Sequence, residues 1–229
     1  MTQKKKIDVI LLCGGKGERL RPYTFNLPKP LLKVNNKPFL YYIINKFLKI
    51  NVNQIILASG YKSTKVSLFV NKYFKHNDKI KLIDSGNVDI IKRLQDSSKL
   101  IKNDFFVCYG DTYVNFNINK YINEFLNIKN NNSFVLGTYY KIKFGTVSFN
   151  KKNFLIKNFK EKPVFPEPIN LGYFLFNKEV LSIILKYRKW IQFLKAIVKN
   201  KKLVLKITDK KYFSFDSPTE YHEIKTTFI

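Results

Sequence analysis

A chain of 229 residues with 45% hydrophobic and 16% aromatic residues is long enough for one sizeable core and short for two, and this composition excludes a disordered polymer. The formal net charge is +26, from 42 lysines and arginines against 16 aspartates and glutamates. Lysine supplies 38 of the 42 and is spread over the whole chain, and asparagine occurs 24 times, so the charge reads as compositional drift and not as a nucleic-acid footprint, though a positive field still attracts anionic substrates.

The N-terminal MTQKKKIDVILL imitates a signal peptide, but its apolar run, Ile7–Leu12, carries Asp8 and runs into glycines without a cleavage pattern. No segment approaches the ~20 apolar residues of a membrane span, so a soluble cytoplasmic protein is expected. Cys13 and Cys108 are the only cysteines, with no CxxC or Cys/His cluster. They read as buried small residues in a reducing compartment.

Ile7–Leu12 is a continuous apolar run bounded by glycines, the pattern of a strand buried on both faces of a parallel sheet. Pro38 then opens a helix with Leu40, Ile43, Ile44 and Phe47 on one face. Gln54–Gly60 is a second buried strand, Ser63–Phe74 a second helix, KIKLID a third strand, and Asp104–Asp111 a fourth that ends in Gly-Asp. Lys129–Asn132 reads as a loop. Beyond it SFVLGTYYKI, GTVSFN, NFLIKNFKE and INLGYFLFN are short aromatic strands with little helix between them, then Lys178–Ile197 is expected as helix, Leu203–Ile207 as strand and Pro218–Thr227 as a closing helix. Alternating strands and helix-length segments indicate an α/β fold with a mixed, mainly parallel central sheet, the aromatic strands of the second half forming a mixed or antiparallel extension of that sheet. No linker-like stretch divides the chain, so residues 1–229 are expected as one domain.

The loop after the first strand carries the chemistry. CGGKGERLRPYTFNLPKP lacks the GxxxxGK[ST] of a P-loop and the third glycine of GxGxxG. Consecutive glycines nevertheless let backbone N–H groups turn toward an anion, and Arg19 can add a forked grip on phosphate oxygens. Lys29 is stiffened by Pro28 and Pro30. A lysine so held suits a reacting phosphate, although a solvated surface lysine fits this composition as well.

As a whole, GGKGERLRPYTFNLPKPLLKVNNKPFL resembles the signature of the sugar-1-phosphate nucleotidyltransferases, and four further motifs follow in the family's order: YGDTY, FGTVSFNKKNFLIKNFKEKP, INLGYFLF and FSFDSPTEY. The resemblance implies a Rossmann-like three-layer α/β/α fold, with a nucleotide-binding half over residues 1–115 and a sugar-phosphate-binding half over 116–229. No C-terminal β-helix domain of hexapeptide repeats is expected, which would exclude a bifunctional acetyltransferase-uridylyltransferase. The implied reaction is attack of a sugar 1-phosphate oxygen on the α-phosphorus of a nucleoside triphosphate, releasing pyrophosphate. A phosphate monoester, with its second pKa near ~6, is already largely dianionic at neutral pH, so no general base is needed. Catalysis then rests on positioning and charge neutralisation.

The resemblance assigns roles position by position. Gly14, Gly15 and Gly17 with Arg19 would hold the triphosphate, Leu12 and Gly86 would lie on the nucleotide side, and Lys29 would offset charge at the α-phosphate. Asp111 and Asp216 would share Mg²⁺. Glu161 would accept hydrogen bonds from sugar hydroxyls, Lys162 would hold the sugar phosphate, and Gly145, Asn170 and Gly172 would shape the sugar pocket. Read alone, Asp111 is an ordinary turn residue, Asp216 before Ser217-Pro218 is a candidate cap of the last helix, and His76 and His222 are solvent-facing or satisfied. Partners are expected to be the two substrates, with no nucleic acid or membrane, and a homo-oligomer is left open.

The chain departs from the family at its nucleobase loop. DSGNVDIIKRLQDSS keeps Gly86 but lacks the Gly-Thr-Ala-Gly type of sequence and is shorter. The length, LCGG and GDTY resemble heptose-1-phosphate guanylyltransferases, whereas DSG…KRL and GYK at Gly60–Lys62 resemble glucose-1-phosphate cytidylyltransferases. The guanylyl type is favoured for D-glycero-D-manno-heptose 1-phosphate in surface polysaccharide precursor synthesis, and a catalytically weak regulatory homologue is the further alternative.

Overall fold

The computed structural model describes residues 6–128 and 133–228, so the loop expected at Lys129–Asn132 lies outside the described residues. The first half runs β1 (Ile7–Leu12), the short hairpin β2 (Lys33–Val34) and β3 (Lys37–Pro38), α1 (Phe39–Leu48), β4 (Val52–Ser59), α2 (Ser63–Phe74), β5 (Ile80–Asp84), α3 (Ile90–Ser98), β6 (Phe105–Tyr109) and β7 (Thr112–Val114). It continues with α4 (Ile118–Leu126), β8 (Ser133–Thr138), the hairpin β9 (Thr146–Phe149) and β10 (Ile156–Lys160), β11 (Ile169–Phe176), α5 (Val180–Ile184), α6 (Trp190–Lys199), β12 (Leu203–Ile207), β13 (Tyr212–Ser214) and α7 (Pro218–Thr227).

Seven strands form the central sheet in the order β12-β8-β11-β6-β1-β4-β5. β4 and β6 flank β1 in parallel register, and β11 alone runs against its neighbours β6 and β8. This is the mixed, mainly parallel sheet expected. Alternate residues of each strand feed opposite faces, as the pleat demands. Val9, Leu11, Phe106 and Cys108 pack with α1, α2, α4 and α7, while Ile10, Ile56, Phe105 and Val107 pack with α3, α5 and α6. Three layers result. The chain leaves β1 toward β4 and β5, then returns to β6 on the other side of β1. Such a reversal opens a crevice at the carboxyl ends of the strands, where ligands of open α/β sheets bind.

Two expectations differ: GTVSFN and NFLIKNFKE do not extend the central sheet but pair with each other as the separate, exposed hairpin β9–β10, whose side chains find no helix layer to pack on, and one expected helix is broken. The helix expected over Lys178–Ile197 is two helices, α5 and α6, separated by residues 185–189. The reason lies on α3. Gln95 Nε2 donates to the carbonyls of Ile184 and Tyr187 at 3.2 and 2.9 Å, satisfying the end of α5. Asp89 Oδ1 accepts from both Ile91 N and Trp190 N, at 2.9 and 3.1 Å, so one carboxylate caps the starts of α3 and α6.

Both cysteines are buried and unpaired. Burial pushes the Cys13 thiol up to about 12, with the Arg93 charge pulling weakly the other way, and burial pushes Cys108 well above its ordinary value. Since the thiolate is the reactive form, the folded protein is expected to ignore Ellman's reagent at pH 8 and to release two equivalents on unfolding. Fast reaction of either thiol in the folded state would contradict this burial.

Candidate active site

The site is assembled where β1, β6 and the segment between β13 and α7 end side by side. The loop after β1 is pinned by Cys13 N, which donates to Ala58 O at 3.0 Å. Gly17 takes a left-handed φ of 60°, and a Cβ there would stand 3.1 Å from Lys29 Cβ and from Thr24 Cγ2. Glycine at this position therefore both makes the turn and lets Lys29 approach. Lys29 opens a short 3-10 turn (Lys29–Leu31) after the extended Pro28, and its side chain is only 8% exposed.

Its ammonium lies between two carboxylates. Lys29 Nζ is 2.7 Å from Asp111 Oδ2 and 2.6 Å from Asp216 Oδ1. The more exposed Arg19 reaches the same Asp216 oxygen at 3.2 Å. Partial burial pushes the Asp216 carboxyl up, but the hydrogen bond and charge of Lys29, joined by Arg19, hold it below the ordinary value of 3.8. The sign follows from linkage: this contribution to stability is present above the unfolded carboxyl pKa and is lost as pH falls through the lowered folded value. Replacing Lys29 by Met is accordingly expected to start acid unfolding at a higher pH than in the wild type, followed by circular dichroism below pH 4.

Asp216 is not a helix cap. Ser217 caps α7 by accepting from Glu220 N at 3.3 Å, and Glu220 Oε2 reaches back to Asp216 N at 2.7 Å. This reciprocal pair leaves the Asp216 side chain facing Lys29. The solvent-facing alternative for Lys29 is excluded equally by its burial.

Around this cluster is an open cavity of about 730 Å³, lined by Leu12, Gly15, Gly17, Arg19, Lys29, Asp111 and Asp216 among the residues singled out in the sequence. Lys16, Glu18, Asn87, Arg93 and Tyr109 line it as well. Gly14 and Gly86 lie just behind the wall, each giving its carbonyl to Arg93. The residues that the resemblance assigns to the sugar phosphate fall into two groups outside that lining. Gly145, Glu161 and Lys162 belong to the exposed β9–β10 hairpin region, where a Cβ on Gly145 would sit 3.1 Å from Glu161 Oε2. On β11, Asn170 Oδ1 accepts from Gly172 N at 2.8 Å, and Gly172 (φ 74°) packs directly on the Tyr109 ring that lines the cavity. Of the two histidines, His222 Nε2 is 2.9 Å from the Tyr23 hydroxyl, and neither histidine is among the residues lining the cavity.

The donor set suits Mg²⁺. Asp111 and Asp216 offer hard oxygen donors that converge on one cation, Lys29. Among the described residues no group of three or more His, Cys, Asp and Glu forms a metal cage. Two carboxylates with the balance of ligands from phosphate and water is how Mg²⁺ is usually held, in contrast to a Zn²⁺ or Ca²⁺ site.

Residues 8–213 match the family model described as Nucleotidyl transferase. The chain belongs to that family. The chain is 29% identical over 228 residues to a D-glycero-alpha-D-manno-heptose 1-phosphate guanylyltransferase of Campylobacter jejuni, an alignment covering 94% of the chain and 97% of the relative. It is 33% identical over 188 residues to the bifunctional protein GlmU of Methanocaldococcus jannaschii, where 79% of the chain spans only 42% of the relative's length. Its fold is shared with crystalline HddC from Yersinia pseudotuberculosis, with a TM-score of 0.74 at 24% identity over 97% of this chain and all of that one. No helix among the described residues is long and apolar enough to cross a membrane.

Proposed function

We propose that the chain transfers a nucleotidyl group from a nucleoside triphosphate to a sugar 1-phosphate, giving a nucleoside diphosphate sugar and pyrophosphate. The observation that carries this reading is the buried Lys29 held between Asp111 and Asp216 at the floor of the cavity, beside the glycine loop. An oxygen of the sugar phosphate attacks the α-phosphorus, the bond from that phosphorus to the β-bridging oxygen breaks, and pyrophosphate leaves with the bonding pair. Both reactants are anions, so the barrier is repulsion and charge build-up, which fixed positive groups relieve. Lys29 is pre-positioned for this by its prolines and its two carboxylates. The backbone of the 14–17 loop and Arg19 orient the triphosphate, and Arg19, three-quarters exposed, is free to exchange Asp216 for phosphate oxygens. Bound at Asp111 and Asp216, Mg²⁺ would supply further charge neutralisation to the phosphates.

Glu161 and Lys162 would serve the sugar phosphate from the hairpin side, and Gly145, Asn170 and Gly172 would bound the sugar. A guanylyltransferase acting on a heptose 1-phosphate is favoured by the near full-length alignment with the Campylobacter jejuni relative. The DSG…KRL stretch supports CTP as the alternative base. Pyrophosphate release with GTP, CTP, UTP and dTTP, each against a panel of sugar 1-phosphates and Mg²⁺, tests the reading. GTP with a heptose 1-phosphate is expected to give the highest kcat/KM. Silence across the panel from folded protein would favour the regulatory homologue.

A further inference from the structure

Arg93 stands apart from the other basic residues. It is one of four arginines in a chain of 38 lysines, and it is 6% exposed while most of the cationic side chains are solvated. From the third position beyond the start of the Ile90–Ser98 helix, its NH2 donates to Gly14 O at 3.0 Å and to Gly86 O at 3.1 Å. These carbonyls belong to the two loops that close the nucleotide side of the cavity, one after β1 and one after β5. A single guanidinium nitrogen thus ties together segments 72 residues apart. The fit is tight, since a Cβ on Gly14 would lie 2.3 Å from Arg93 Nε and 2.7 Å from Cζ. Gly14 is therefore glycine because of Arg93, quite apart from any phosphate.

Two further features set this guanidinium apart from an ordinary structural arginine. Its Nε is buried with no hydrogen-bond partner, a costly state for a charged donor. Among the described residues no carboxylate forms an ion pair with it, and Asp84 and Asp89 act on its charge only from a distance. A buried cation without a direct counter-charge, bordering the cavity alongside Asn87 and Tyr109, is poised toward an anionic or carbonyl-bearing ligand.

We propose that Arg93 is the positioning residue of the nucleotide subsite: by holding the carbonyls of Gly14 and Gly86 it sets the spacing between the glycine loop and the short DSGNVD loop, and it places a fixed positive charge at the wall the nucleotide meets. This inference rests on the nucleotidyl-transfer reading and names the device that compensates for the shortened base loop. Arginine suits the tie because its planar NH2 holds two N–H donors in fixed directions, whereas a lysine keeps the charge on a flexible stem with freely rotating donors.

The test compares Arg93→Gln and Arg93→Lys with wild type in two ways: equilibrium titration of a fluorescent GTP or CTP analogue without sugar phosphate, and steady-state KM and kcat for each substrate. Nucleotide affinity is expected to fall about 10- to 100-fold in Arg93→Gln, the range for losing charge-assisted hydrogen bonds. The nucleotide KM should rise in parallel, with kcat and the sugar-phosphate KM near wild type, and Arg93→Lys should fall between. Gly14→Ala should weaken nucleotide binding in wild type by forcing the guanidinium aside. That loss should be smaller in the Arg93→Gln background, a non-additivity that independent sites would not show. Should Arg93→Gln fail to fold, Arg93→Lys and Gly14→Ala carry the same comparison. Nucleotide affinity within twofold of wild type in folded variants, or a fall in kcat with affinity unchanged, would overturn the proposal. Because the titration needs no turnover, a wild-type protein that binds nucleotide without transferring it would sink the proposed reaction and leave the role of Arg93 standing.

Discussion

Replacing Lys29 by Met lowers kcat/KM by roughly 10²- to 10³-fold, the loss typical of removing one preorganised donor from a developing anion. The substitution keeps the length of the stem and deletes the ammonium, which touches Asp111 and Asp216 and lies over the Phe215 ring. Stability at neutral pH should fall by about 1–2 kcal/mol, less than the 3–5 kcal/mol of breaking a fully buried pair, because both carboxylates are partly solvated. The discriminating readout is metal affinity. Two carboxylates relieved of their internal cation attract a divalent ion more strongly, so titration of the ligand-free variant with Mn²⁺ should show tighter binding while turnover collapses. Weaker metal binding together with lost turnover would mean that Lys29 merely holds the loop.

Asp111→Asn is the complementary experiment, with a loss of Mg²⁺-dependent turnover of roughly 10²-fold or more. Here metal affinity and kcat fall together. The asparagine is isosteric, so the loop after β6 and the packing around Thr112 remain. Turnover within a few-fold of wild type would remove Asp111 from the metal assignment. The two variants thus move metal affinity in opposite directions while both depress catalysis, a pattern that simple misfolding does not produce.

Much of this site was legible from local sequence. The Ile7–Leu12 run, the glycines behind it and the proline-flanked Lys29 lie within 30 residues, and the chemistry of each is set by near neighbours in the chain. Asp216 was ambiguous for a physical reason: Asp, Ser and Pro before a helix all read as caps. Only the geometry showed Ser217 and Glu220 closing the helix end and leaving Asp216 to the lysine. The break between α5 and α6 was invisible because its caps, Asp89 and Gln95, come from about 90 to 100 residues earlier. Arg93 enters the sequence reading only within the DSG…KRL likeness and without a role of its own, because lysine and arginine count alike in a charge sum. Its signal was the rarity of arginine in a chain that otherwise uses lysine. The residues that only the resemblance assigns to the sugar lie on a hairpin and β11, outside the cavity lining.

The central claim is that the α-phosphate ends bonded to the sugar phosphate oxygen. The most direct measurement follows the nucleoside triphosphate carrying ³²P at its α-position, with an ¹⁸O-labelled sugar 1-phosphate and Mg²⁺. The account predicts α-label in a nucleoside diphosphate sugar, one pyrophosphate released per product, and ¹⁸O retained in the new bridge between the phosphates. Label recovered as nucleoside monophosphate, or confined to unreacted triphosphate with every acceptor tried, would contradict it.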